Sequence, residues 1–221
     1  MIVTFDLFSA LTDSRTGASR LFAQLATERG WDADGPAIYD AWDGYNKALQ
    51  RDAQPPATFH DLSRLALERA YDDLGLDDAD LDADIARVEA SVADWPLWPD
   101  IAAGVRAVAE QARVGLLSNV DDVLARRTRA HALVDPQLVL SSERLGAYKP
   151  SPQIYRAAVQ ATAPDQLVHV AASGRDVRGA LEAGIAVVRL VRPGHVVDAE
   201  GPRPPIEIDN ASDLPGVLRG L

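Results

Sequence analysis

The chain has 221 residues, with 22 Lys and Arg against 33 Asp and Glu and no cysteine. At roughly 150 residues per domain it is one large domain or a core with an appendage, and a net charge of −11 opposes a nucleic-acid partner. Without cysteine there is no disulfide framework, thiol nucleophile or thiolate metal site, so catalysis must rest on carboxylates, hydroxyls or amines. No apolar run reaches the roughly 18 residues of a membrane span, and Met1 to Asp6 lacks the basic start and apolar stretch of a signal peptide. The sequence reads as cytoplasmic.

Ile2-Val3-Thr4-Phe5 is a short apolar run ending in Asp6, the pattern of a buried strand that delivers a polar side chain at its carboxyl end. From about Arg15 to Asp94 the pattern is helical: Ile38, Trp42, Tyr45 and Leu49 recur at helical spacing, as do Leu62, Leu65 and Ala66 after the Pro55-Pro56 break. Roughly four helices fit this stretch. Its acidic run, Asp77, Asp78, Asp80, Asp82 and Asp84, reads as a solvated loop and helix start and lacks the spacing of a calcium loop. Trp95-Pro96-Leu97-Trp98-Pro99 marks the return to the core.

Helical segments at Ile101–Gln111, Asp122–Leu133, Pro152–Ala161 and Val177–Ala183 then alternate with apolar runs at Val114–Leu117, Leu138–Leu140, Leu167–Ala171 and Ala186–Val191. Alternation of this kind predicts an α/β fold with a parallel sheet and helices on both faces. Ligands of such sheets collect beyond the carboxyl ends of the strands.

Polar residues stand at those ends: Asp6, Ser118-Asn119, Lys149 before Pro150, and Asp176 beyond Leu167–Ala171. In this order they resemble the haloacid dehalogenase superfamily. The resemblance is carried by Phe5-Asp6-Leu7-Phe8-Ser9-Ala10-Leu11-Thr12-Asp13, Leu116-Leu117-Ser118-Asn119, Tyr148-Lys149-Pro150-Ser151-Pro152-Gln153-Ile154-Tyr155 and Asp176-Val177-Arg178-Gly179-Ala180. It implies a Rossmann-like core of residues 1–14 and 95–221 with an inserted helical cap domain of residues 15–94, hinged near Ser14 and Asp94.

Phosphatase members of that family carry a second Asp two places after the nucleophile and a Gly-Asp pair that holds magnesium. Here those positions are Phe8 and Val170-Ala171. A hard dication needs oxygen ligands, so no metal and no cofactor is expected. The dehalogenase branch has an aromatic residue two places on and attacks carbon without a metal. Resemblance to it implies that Asp6 displaces a leaving group to give an aspartyl ester, which water then hydrolyses. Lys149 would keep Asp6 ionised, Asp176 would polarise water, orient Lys149, or both, and Ser118 with backbone amides would receive charge on the ester oxygen.

The same resemblance implies that Asn119 donates to the leaving halide or substrate carboxylate, with a turn-forming role as the alternative. Ser173 stands where dehalogenases have an Asn, or else caps a helix, and Tyr155 matches a dehalogenase Tyr or simply packs its helix. Phe8, Trp42 and Tyr45 would bring rings to the substrate. Members acting on 2-halo acids bind the carboxylate with a cap-domain Arg beside a Trp, whereas the nearest match here is Trp42-Asp43. Lys47 or Arg51 would have to substitute, or Asp43 would favour an amine-bearing substrate. The expectation is a 2-haloacid dehalogenase-like hydrolase of small molecules, with no membrane or nucleic-acid partner and a homodimer as an allowed assembly. The alternatives are a degenerate member that binds a metabolite or protein without turnover, and a residual magnesium phosphatase.

Overall fold

β1 (Ile2–Phe5) is buried along its whole length and lies at the centre of a parallel sheet, which is why its residues are apolar or β-branched with no polar alternation. The computed structural model describes the whole chain, Met1 to Leu221. The other strands are β2 (Arg113–Ser118), β3 (Val139–Ser141), β4 (Leu167–Ala171), β5 (Ala186–Leu190) and β6 (Ile206–Ile208), in the spatial order β3-β2-β1-β4-β5-β6. From β1 the sheet grows toward β2 on one side and toward β4 on the other, which opens a crevice at the carboxyl end of β1.

The helices are α1 (Ser14–Arg29), α2 (Gly35–Arg51), α3 (Phe59–Leu74), α4 (Leu81–Ser91), α5 (Ile101–Ala109), α6 (Asp122–Arg127), α7 (Ser142–Leu145), α8 (Pro152–Thr162), α9 (Gly174–Glu182) and α10 (Leu214–Leu218). Alternate strand residues feed two apolar clusters, as the two-residue period of a strand requires. Val3, Phe5, Leu116, Val168 and Val188 pack with α5 and α10 and run on into α1–α4, while Ile2, Leu117, Leu140, Leu167 and Val187 pack with α8 and α9. No helix is long and apolar enough to cross a membrane.

Local sequence starts and stops the four inserted helices. Asp13, Asp34 and Asp80 each accept a first-turn amide of α1, α2 and α4, Thr58 and Asp61 form a capping box at α3, and Gly30 and Gly75 end α1 and α3 at positive φ. The chain leaves and rejoins the sheet through a paired link: Thr12 bridges Leu97, and Trp98 N–H donates to Leu11 O at 3.0 Å.

Several details differ from the sequence reading. Asp84 is fully buried rather than solvated, because its oxygens accept from Arg29, at 2.6 Å for one nitrogen, and from Tyr71 at 3.1 Å. The segment expected as one helix over 122–133 breaks at extended Thr128, whose hydroxyl bonds back to Ala125 O at 2.8 Å, and continues as a 3₁₀ turn. The third strand starts one residue later than expected, at Val139, and β6 was too short to show as a run. A π-helical turn over Leu7–Leu11 directly follows Asp6.

From the core, Asp121 reaches across to the start of α3 and accepts the amides of Phe59 and His60, each at 3.0 Å. Replacing Asp121 with Ala should cost about 1–2 kcal/mol, the worth of an acid at a helix start. Denaturation midpoints will measure that loss, and faster hydrogen exchange at the Phe59 and His60 amides will locate it.

Candidate active site

Asp6 sits where β1 gives way to the π-helical turn, its own amide still paired to Val170 O at 3.0 Å. Its side chain is held at both oxygens. Oδ2 accepts the Ser9 amide at 2.9 Å and the Ser9 hydroxyl at 2.5 Å, while Oδ1 accepts the Ser118 hydroxyl at 3.1 Å from the end of β2 and the Lys149 ammonium at 2.7 Å. Ser9 was missed in the sequence, although an acid three residues before a Ser at a helix start is a capping signal.

Lys149 lies between two carboxylates. Its three donors go to Asp6, to Asp176 Oδ2 at 2.6 Å and to Leu117 O at 2.8 Å. Asp176, in the first turn of α9, also accepts His169 Nε2 at 3.2 Å and the Tyr155 hydroxyl at 2.9 Å. An Nε2–H tautomer of His169 serves this contact and lets Nδ1 accept from Thr4 Oγ1 at 3.1 Å, its cross-strand neighbour. Tyr155 therefore both packs and binds: its ring is fully buried, and a Cβ on Gly179 would come within 2.6 Å of it. His169 was hidden inside an apolar run.

Burial works against all three charges, and their mutual attraction overcomes it. Desolvation would raise both acids, yet Lys149 draws Asp6 below its ordinary 3.8, and Lys149 with His169 draws Asp176 well below it. Desolvation would lower Lys149, yet Asp176 and Asp6 lift it above 10.5. The site is thus an ionised acid–ammonium–acid set of net charge −1.

Over this set lies a cavity of about 100 Å³ between the strand ends and the inserted helices, lined by Asp6, Phe8, Trp42, Phe59, Trp95 and Arg175 among others. A wider hollow shares Phe8, Tyr39, Lys47 and His195 with it and adjoins it. Phe8 stacks on Phe59 at 5.9 Å with the planes 14° apart and meets Trp95 edge-on at 5.9 Å. Trp42 also lines the cavity, with its indole N–H donated to Ser63 O at 3.0 Å. Ser173 precedes α9, makes no capping bond with its hydroxyl and faces the cavity.

Tyr45 is a correction. The cavity face of α2 carries Tyr39, Trp42, Asp43, Asn46, Lys47 and Gln50, and Tyr45 is about 100° round the helix from Asn46. It turns toward α3, where the nearby Asp73 carboxylate raises its phenol pKa. Asn119 reaches the cavity wall but is spent: its amide donates to Gln50 Oε1 and to Lys149 O, each at 2.9 Å, and its oxygen accepts the Lys149 amide at 2.7 Å. It braces the Lys149 loop and has no donor left for a halide. Lys47 is paired with Asp43, which removes both the substitute cation and the free acid, and Arg51 points to solvent.

The residues present do not fit magnesium. The ammonium occupies the space between the two acids, the position two after Asp6 is a stacked ring, and β4 ends in Val170-Ala171. No group of three His, Asp or Glu side chains is placed to hold a metal ion.

A strand-end acid, a lysine and a second acid gathered over a Rossmann-like sheet define the class, a hydrolase on an α/β fold. A family model for haloacid dehalogenase-like hydrolases matches residues 1–184, and the chain belongs to that family. No curated protein matches the sequence. Among solved structures, the L-2-haloacid dehalogenase from Xanthobacter autotrophicus shares 21% identity, with 100% of this chain and 98% of that chain covered and a TM-score of 0.82. That enzyme has also been solved with chloropropionic acid covalently bound. The defluorinating L-2-haloacid dehalogenase Rha0230 shares 25% identity over 99% of this chain and 94% of that one, with a TM-score of 0.83. YfnB from Bacillus subtilis, a putative HAD-hydrolase bound to magnesium, shares 13% over 99% and 98%, with a TM-score of 0.78.

The ionised set carries a pH signature. The contribution of the acids is present above 3.8 and is lost as pH falls through their depressed values, while that of Lys149 is complete below 10.5 and fades as pH rises through its elevated value. Lys149→Ala strands two buried carboxylates and should cost about 3–5 kcal/mol at neutral pH. Urea denaturation at pH 7 and at about pH 4.5 will show the gap to wild type narrowing in acid, because a stranded carboxylate takes up a proton.

Proposed function

We propose that the protein is a metal-independent hydrolase that attacks carbon through Asp6, in the manner of a 2-haloacid dehalogenase, with residues 15–94 acting as a cap over a core of residues 1–14 and 95–221. The observation that carries this reading is the ring of Phe8 stacked on Phe59, with Val170-Ala171 ending β4, at the positions where a phosphatase carries its further acids, while Asp6 and Asp176 are bridged by the ammonium of Lys149 at 2.7 and 2.6 Å. The similarity to L-2-haloacid dehalogenases supports it.

The two oxygens of Asp6 divide the work. Oδ2 carries only the neutral Ser9 donors and forms the new bond to carbon, while the carbon–halogen bond breaks and its electron pair leaves with the halide. Oδ1 becomes the ester carbonyl. When water attacks the ester carbon, the negative charge gathers on Oδ1 between Lys149 and Ser118, both already within hydrogen-bonding distance. The water proton passes to Asp176, whose Oδ1 accepts only from Tyr155 and keeps a free lone pair. Collapse breaks the Cγ–Oδ2 bond, the departing alkoxide takes the proton from Asp176, and the hydroxyl left on Asp6 loses its proton to solvent, so that one water and one halide-bearing carbon yield an alcohol, a halide and a proton.

Halide release from 2-chloropropionate should continue in the presence of a chelator and vanish in Asp6→Ala. A single turnover in ¹⁸O-labelled water should place the label in the Asp6 peptide, read by mass spectrometry. Magnesium-dependent phosphate release from an aryl phosphate, with a phosphorylated Asp6, would defeat the proposal.

A further inference from the structure

Three cations face the cavity, and two are committed: Lys149 to Asp6 and Asp176, and Lys47 to Asp43. The third is Arg175, the residue before Asp176. It bonds only neutral oxygens, donating to the Lys47 carbonyl at 2.9 Å and to Gln50 Oε1 at 3.0 Å. A guanidinium has five N–H donors, so three are not taken by these two bonds. Half-buried and without a carboxylate partner, such a cation is incompletely compensated.

We propose that Arg175 is the specificity residue that receives the carboxylate of the substrate, so that the site selects small monocarboxylates. This rests on the carbon-attack reading above and deepens it. The resemblance placed such a cation on the helical insertion beside Trp42; the structure supplies it from the core, on the loop that carries Asp176.

The charge count requires a receptor. Asp6, Lys149 and Asp176 sum to −1, so an anion entering the cavity is repelled unless a further positive charge faces it. Arg175 offsets that charge, while Glu89, the one lining carboxylate outside this set and the Lys47–Asp43 pair, is hydrogen-bonded to His60 at 2.6 Å. Its fork is held in advance: Gln50, which accepts from Arg175, donates to Asn46 at 2.8 Å and accepts from Asn119 at 2.9 Å, and Asn46 donates to Ser63 at 3.2 Å. A planar fork so fixed matches a carboxylate in two parallel bonds. Ser173, two residues earlier, offers a hydroxyl to the same space. Size limits the remainder, since a cavity of roughly 150 Å³ takes benzene and this one, at about 100 Å³, takes a chain of a few carbons against Phe8, Phe59 and Trp95.

Propionate, which has no leaving group, tests the receptor apart from turnover, with Trp42 and Trp95 in the cavity wall as fluorescent reporters. Wild type should bind propionate at least ten-fold more tightly than propionamide. Arg175→Gln should weaken propionate by about 10–100-fold, the worth of hydrogen bonds to a charged group, and leave propionamide unchanged. Arg175→Lys should recover part of the loss, which a purely structural role would not predict. In turnover, Arg175→Gln should raise KM for 2-chloropropionate far more than it lowers kcat. No saturable binding of propionate by wild type, or equal affinity for acid and amide, would overturn the inference, as would unchanged propionate affinity in Arg175→Gln. Arg175-dependent binding without halide release would keep the receptor and defeat the hydrolase reading. Halide release indifferent to Arg175→Gln would do the opposite.

Discussion

A single ammonium group buried between two carboxylates is the constraint around which the rest of this protein is arranged. Lys149, Asp6 and Asp176 are each under 8% exposed, and removing charges from water costs several kcal/mol per ion unless every lone pair and proton finds a partner. The fold supplies those partners from separate elements: Ser9 from the turn after β1, Ser118 from β2, Tyr155 from α8 and His169 from β4. The parallel sheet makes this possible because its strands end side by side, so residues more than a hundred positions apart meet within hydrogen-bonding distance.

The inserted helices complete the arrangement from the other side. They close the site with the rings of Tyr39, Trp42 and Phe59, the Lys47–Asp43 pair and Glu89, and the stack of Phe8 on Phe59 joins the turn after Asp6 to α3. A chain of amides, Asn119–Gln50–Asn46, runs from the Lys149 loop into α2, and Asp121 caps α3 from the core. These polar links cross the boundary together with the bonds from Arg175 to Lys47 O and from the Tyr148 hydroxyl to Ala57 O. Because each buried amide in the chain needs its neighbour, they fix where α2 stands over Asp6 and which of its faces the cavity sees.

Much of the site was legible in the sequence because chemistry at the ends of buried strands leaves a simple mark: an apolar run that stops at a polar residue. Asp6 and Ser118 carry that mark, Asp176 follows β4 in the first turn of α9, and Lys149 stands in a loop before a proline. Residues whose roles depend on direction were not legible. Tyr45 shares the helical period of Trp42 but turns toward α3, and Asn119 has the right address with all its donors engaged. His169 looked like part of an apolar strand, and Asp84 looked solvated until Arg29 and Tyr71 closed on it.

The sequence by itself determined the alternation of strands and helices, the helical stretch after the first strand and the order of the polar strand ends, because each is written in local periodicity and composition. Tertiary structure alone decided which charges pair and which stay free. Lys47 is neutralised by a neighbour one turn away, while Arg175 faces the cavity with neutral partners only. The first pair is local, but the partners of Arg175 and of Lys149 lie far from them in the chain, and no local pattern encodes those distances.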